Sequence, residues 1–109
     1  MEEVEITPQA LSLLLADSAV SAPVLLDVRE PWEWDVVHID GSVHMPMRQV
    51  VLDYTTLPPD KHIVAICHHG VRSLQVTHFL RHAGFQRVLS LHGGIDAWAH
   101  EIEPTMRRY

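Results

Sequence analysis

Cysteine is almost missing from this chain: Cys67 is the only one in 109 residues. A single thiol cannot close an intramolecular disulfide, so a disulfide framework is excluded, and with it most zinc sites. Positive charge is scarce too. Eight Lys and Arg stand against fourteen Asp and Glu, giving a net charge of −6. That balance argues against nucleic acid and membrane as partners, because both reward a basic surface. Arg107-Arg108 forms only a small basic tail. Long hydrophobic runs are absent, so no segment reaches the length of a bilayer span. The start, Met1-Glu2-Glu3-Val4-Glu5, is acidic where a secretory signal is basic and then apolar. A cytoplasmic, reducing setting is the expectation. No repeat, linker or low-complexity segment divides the chain. Residues 1–109 are therefore expected to form one domain, burying roughly 65% of the surface its unfolded form exposes.

What is there alternates between strand and helix signals. Thr7-Pro8 reads as a helix N-cap with proline at the first helical position, and Leu11, Leu14 and Leu15 share one helical face. Val24-Leu25-Leu26, ending at Asp27, reads as a buried strand. A short helix over Pro31 to Val36, a strand over Val43 to Met45 and a helix over Arg48 to Tyr54 follow, closed by Pro58-Pro59. Ile63 to Ile66 is the strongest strand. Val76, Phe79, Leu80 and Ala83 make a helical stripe within Leu74 to Ala83, and Gly84 stops it. Val88 to Leu91 is a further strand, and Gly93-Gly94 turns into a last helix at Ile95 to Glu101. This order predicts an α/β fold with a mostly parallel central sheet flanked by helices on both faces. Ligands of such sheets bind beyond the carboxyl ends of the strands, where Asp27, Cys67 and His92 fall.

The stretch Cys67-His68-His69-Gly70-Val71-Arg72-Ser73 carries the chemistry. It joins the strongest strand to a helix. Gly70 allows backbone angles that let the loop curl, and curling turns successive N–H groups inward as an anion-binding nest. Ser73 reads as the N-cap of the following helix, whose N-terminus adds partial positive charge. Arg72 adds a permanent cation. All three favour a thiolate at Cys67, and its expected chemistry is nucleophilic.

Cys67-x-x-Gly70-x-Arg72-Ser73 at a strand-to-helix turn resembles the active-site loop of the rhodanese family of sulfurtransferases. Leu26-Asp27-Val28-Arg29-Glu30 resembles the family's first signature, and His38-Ile39-Asp40-Gly41-Ser42 with Pro46 the segment after it. Leu91-His92-Gly93-Gly94-Ile95 with Trp98 resembles the C-terminal signature. The resemblance implies a rhodanese-like three-layer fold and transfer of sulfane sulfur through a Cys67 persulfide. Thiosulfate or a persulfide would be the donor, and a thiol, cyanide or a sulfur-accepting protein would receive the sulfur. His68, His69, Gly70, Val71, Arg72 and Ser73 would bind the persulfide and its anionic donor, with no cofactor. Four residues separate Cys67 from Arg72. In this family's relatives, phosphatases and arsenate reductases carry one more, so the resemblance favours sulfur over phosphate.

Other readings stand beside this one. A persulfide carrier or relay, or a regulatory binding module with an exposed, oxidisable thiolate, would use the same loop. A metal at Cys67-His68-His69 is disfavoured, because adjacent residues rarely converge on one ion. Asp27 and Arg29 read as structural, Arg29-Glu30 as a brace under the rim, and His92 as a turn or pocket residue. Arg72 has the alternative of a surface ion pair. Trp32, Trp34 and Trp98 read as core or rim packing, with one of them a possible wall beside Cys67. Val37, where the family commonly has glycine, and His44, where asparagine is frequent, depart from the pattern.

Overall fold

A computed structural model describes residues 3–109. Met1-Glu2, the first residues of the acidic start, lie outside the described residues. The order is β1 (Glu5–Ile6), α1 (Pro8–Ala16), β2 (Val24–Asp27), α2 (Pro31–Val36), β3 (Val43–His44), α3 (Met47–Asp53), a 3-10 turn (Tyr54–Thr56), β4 (Ile63–Ile66), α4 (Val71–His82), β5 (Val88–Leu91) and α5 (Gly94–Glu101). The five strands form one sheet in the order β1-β5-β4-β2-β3, and every pairing is parallel. The expected α/β architecture is the one observed.

Strand geometry explains the layers. Successive side chains of a strand point to opposite faces. Ile63 and Ala65 of β4 therefore join Leu26, Val50, Val76 and Leu80 on the face covered by α3 and α4. Val64 and Ile66 join Leu25, Leu11, Ile95 and Trp98 on the face covered by α1 and α5. All four β4 residues are fully buried, as a strand with helices on both sides must be. Each large aliphatic side chain so buried contributes about 1.5–3 kcal/mol.

Local signals fix the helix ends. The Thr7 hydroxyl accepts from the Ala10 N–H at 3.1 Å, with Pro8 leading α1. Gly84 follows α4 at φ +108, and the Phe85 N–H donates to the Leu80 carbonyl at 3.0 Å, a Schellman closure. Three details differ from expectation. β1 is unforeseen, because two residues are too short to show a period. The helix after the loop begins at Val71, three residues before Leu74, because Gly70 rather than Ser73 is its N-cap. Ala83 is exposed: it falls past the last helical turn, where the stripe no longer faces the sheet.

Val37 takes φ −168°, extended backbone that any residue adopts, so the loss of glycine there costs no strain. His44 places Nε2 2.8 Å from the Arg29 carbonyl.

Candidate active site

Parallel pairing puts the carboxyl ends of β2, β4 and β5 side by side. Asp27 pairs with Ile66, the residue before Cys67, with the loop 67–73 rising from β4 into α4. Gly70 takes φ +104°, a region that a side chain resists. A Cβ there would also press on the Gly93 amide at 3.3 Å. The turn presents the Gly70 N–H to Cys67 Sγ at 3.0 Å. Ser73 Oγ lies 3.3 Å from the same sulfur and 2.7 Å from Ser90 Oγ. The sulfur therefore sits between an amide and a hydroxyl at the start of a twelve-residue helix, the end of a helix dipole that favours negative charge.

Ser73 is thus no cap. It lies in the first turn of α4, fully buried, where its hydroxyl reaches the sulfur. Ser90, one register position from the end of β5, steadies it; a serine inside an apolar strand is the signal that could have singled it out. Cys67 itself is only 1% exposed and packs with the apolar cluster beneath α4. The reading of an exposed thiolate is overturned: the loop closes over the sulfur because its first carbonyls are pinned. Ile95 N–H donates to the Cys67 carbonyl at 2.8 Å, and Asp96 N–H to the His68 carbonyl at 3.1 Å. That clamp requires Gly94. A side chain there would collide with the carbonyls of Cys67 and His68. Gly93-Gly94 is more than a turn.

Arg72 differs from expectation as well. Its guanidinium is spent on a carboxylate that sequence reasoning missed. Nη1 donates to Glu33 Oε1 at 2.6 Å and Nη2 to Oε2 at 2.9 Å. Glu33 is 4% exposed and also accepts from the Glu30 N–H at 3.0 Å and the Tyr109 hydroxyl at 2.7 Å. Burial pushes this carboxyl up, but its donors, Arg72 first, outweigh that and hold it at about 2. The same pair raises Arg72. Glu30-Pro31 followed by Glu33 was the sequence signal, a capping box with proline at the helix start.

Beneath lies a second pair. Arg29 Nη2 donates to Asp27 Oδ2 at 2.6 Å and Nε to Oδ1 at 2.9 Å, with both side chains buried. Arg29 Nη1 reaches the Tyr109 hydroxyl at 2.9 Å. The brace under the rim is therefore Asp27-Arg29, while Glu30 pairs with exposed Arg48 at 2.7 Å. Burial raises Tyr109 to about 12 against the lowering effect of Arg29. Its ring stacks on His68 at 4.1 Å, and His68 on His69 at 4.0 Å. Burial, and next the neighbouring His69, push His68 below its ordinary value.

His69 and Val71 are exposed. Together with Gly70, Leu74, His92 and Gly93 they line an open groove beside the loop. His92 meets Glu5, also in the lining of that groove, with Nδ1 3.2 Å from its carboxylate. The three tryptophans divide: Trp98 is core on the face opposite Cys67, Trp32 meets Tyr109 edge to face, and Trp34 stacks between His38 and His44.

Known proteins resemble this chain in sequence and fold. The Rhodanese-like domain family model matches residues 7–101. A sulfurtransferase of Allochromatium vinosum is 37% identical over 102 residues, covering 94% of each chain. The thiosulfate sulfurtransferase GlpE of Haemophilus influenzae is 32% identical, covering 96% of each. A probable adenylyltransferase/sulfurtransferase MoeZ of Mycobacterium tuberculosis is 41% identical over 78% of this chain, which spans only 22% of that protein's length. The crystal structure of a rhodanese-related protein from Thermoplasma volcanium superposes with a TM-score of 0.82 at 31% identity, covering 92% of this chain and 94% of that one. Sulfur transfer is named in the three curated relatives, and this chain belongs to the rhodanese-like domain family.

Proposed function

We propose that the protein moves sulfane sulfur through a persulfide on Cys67. The thiolate attacks the outer sulfur of a donor such as thiosulfate. The new S–S bond forms as the donor's S–S bond breaks, and sulfite departs with the electron pair. A thiol or cyanide then takes the terminal sulfur and returns Cys67 to the thiolate, a ping-pong scheme. The observation that carries this reading is the sulfur's environment: one amide at 3.0 Å, one hydroxyl at 3.3 Å and a helix N-terminus. The terminal sulfur stands about 2 Å beyond Sγ. Residues 1–109 act as one domain in this scheme, and a reducing compartment such as the cytoplasm suits its lone thiol. A persulfide should add about 32 Da to the intact protein after incubation with thiosulfate or a small persulfide, and cyanide should remove it. Absence of the adduct with every donor refutes the reading.

A second reading has its own support. Arg72 is neutralised by Glu33, which leaves the loop without a free guanidinium for a dianionic donor. A relay that accepts sulfur from another persulfide and hands it to a protein suits that electrostatics better than turnover of thiosulfate. A curated relative named a putative sulfur carrier protein, YrkF of Bacillus subtilis, is 34% identical over 72% of this chain. Rapid loading from a small persulfide beside slow loading from thiosulfate would favour the relay, and the reverse order the thiosulfate enzyme.

A further inference from the structure

The disfavoured metal reading used Cys67. The folded chain assembles a different set. His68, His69 and Asp96 bring one ligand atom each to within 4.8 Å of one another. Two of the three are adjacent in sequence, and adjacent side chains normally diverge. Here the loop holds the His68 and His69 rings face to face at 4.0 Å and 23°, with Tyr109 stacked on His68. Asp96 comes from the first turn of α5. Its own N–H is bonded to the His68 carbonyl at 3.1 Å, so main chain, not flexible side chain, fixes the carboxylate beside the two imidazoles.

The carboxylate is divided between two tasks. Arg108 Nη2 and Nε both donate to Asp96 Oδ1, at 2.8 and 3.1 Å. The other oxygen, Oδ2, faces His69 Nε2 at 3.7 Å. That gap is too wide for a hydrogen bond. It is close to the separation of two ligands bound to one ion, since ligands about 2.1 Å from a tetrahedral zinc stand roughly 3.4 Å apart. Imidazole donates in its ring plane, so one of the two stacked rings must rotate out of the stack for both nitrogens to meet one ion with Oδ2. Arg108 then keeps its grip on Oδ1 and orients the carboxylate, as partners of metal-bound carboxylates commonly do.

We propose that His68, His69 and Asp96 Oδ2 form a binding site for a divalent first-row transition cation of the Zn2+ class, at the rim of the Cys67 loop and independent of its thiol. Two imidazoles and one carboxylate suit such a cation and not Mg2+ or Ca2+, which take oxygen ligands. Three protein ligands leave a coordination position open to water or an anion.

The site is tested on the Cys67→Ser chain, which removes the thiolate as a competing ligand. Calorimetric titration with ZnCl2 should show one equivalent bound. His69→Ala and Asp96→Asn in that background should each weaken binding at least about tenfold. His92→Ala, which removes an exposed imidazole outside the cluster, should leave it unchanged. Imidazole NMR signals of His68 and His69 should shift with one equivalent of Zn2+, and circular dichroism should report each variant folded. Asp96→Glu, which keeps the carboxylate, covers the case that Asp96→Asn does not fold: it should retain binding. No binding by the Cys67→Ser chain, equal affinity in His69→Ala, or an equal loss in His92→Ala would overturn the proposal.

Discussion

Cys67 and Arg72 belong to one short loop, yet they meet opposite surroundings. The sulfur is held by neutral groups, the Gly70 amide of the loop and the Ser73 hydroxyl of α4, the latter steadied by Ser90 of β5. The guanidinium is held by a buried carboxylate from α2, which is itself tied to Tyr109 and through it to Arg29 and Asp27. The neutral side sets an amide and a hydroxyl against the sulfur. The charged side is closed on itself, with Arg72 tying the loop to α2 through Glu33.

The sharpest way to break this contrast is on the neutral side. Cys67→Ser should abolish formation of the sulfur adduct in intact-mass spectra while the thermal midpoint stays close to that of the parent. Any adduct that survives would move the reactive atom elsewhere. Next comes the clamp that joins loop and α5. Gly94→Ala should cost about 3 kcal/mol or more in urea unfolding, because the new methyl meets backbone carbonyls in a packed site and φ +65° resists a side chain. A parent-like midpoint would show that the loop does not depend on close contact with α5.

The charged side should answer in stability. Glu33→Gln leaves the partly buried Arg72 guanidinium without its anion and should cost about 1.5–3 kcal/mol. Acid should do the same reversibly. The Glu33 carboxyl binds its proton near 4.5 when unfolded and near 2 when folded. Its contribution is therefore complete above about pH 4.5 and lost as pH falls toward 2, on the order of 3 kcal/mol in all. Comparing urea unfolding of parent and Glu33→Gln across that range isolates the effect, and parallel curves would contradict it. The smallest effect belongs to Tyr109→Phe. It removes one hydroxyl from between Arg29 and Glu33 and should cost about 1–2 kcal/mol, with sulfur loading unchanged. Altered loading would mean that Tyr109 reaches the neutral side as well.

Legibility followed the same division. β2, β4, β5 and α2 were readable because each carries a local signature: an apolar run, or a proline at a helix start. Gly70 was readable because only glycine suits the turn. Ser73 was misread as a cap because its hydroxyl looks outward in sequence and inward in space. Glu33 and Tyr109 were invisible as site residues because they reach Arg72 and His68 across 39 and 41 positions of chain, and no periodicity reports such contacts. Burial of Cys67 was hidden for a related reason: the atoms that close over it are held by the amides of α5.

The residues alone determined the α/β alternation, the position of the lone thiol at a strand-to-helix turn, and its family resemblance, since propensity, period and glycine placement act over a few neighbours. Only the tertiary structure decided where the charges went. Pairing Arg72 with Glu33 and Arg29 with Asp27 depends on how the strands and helices dock, and an ion pair has no meaning until distance through space replaces distance along the chain.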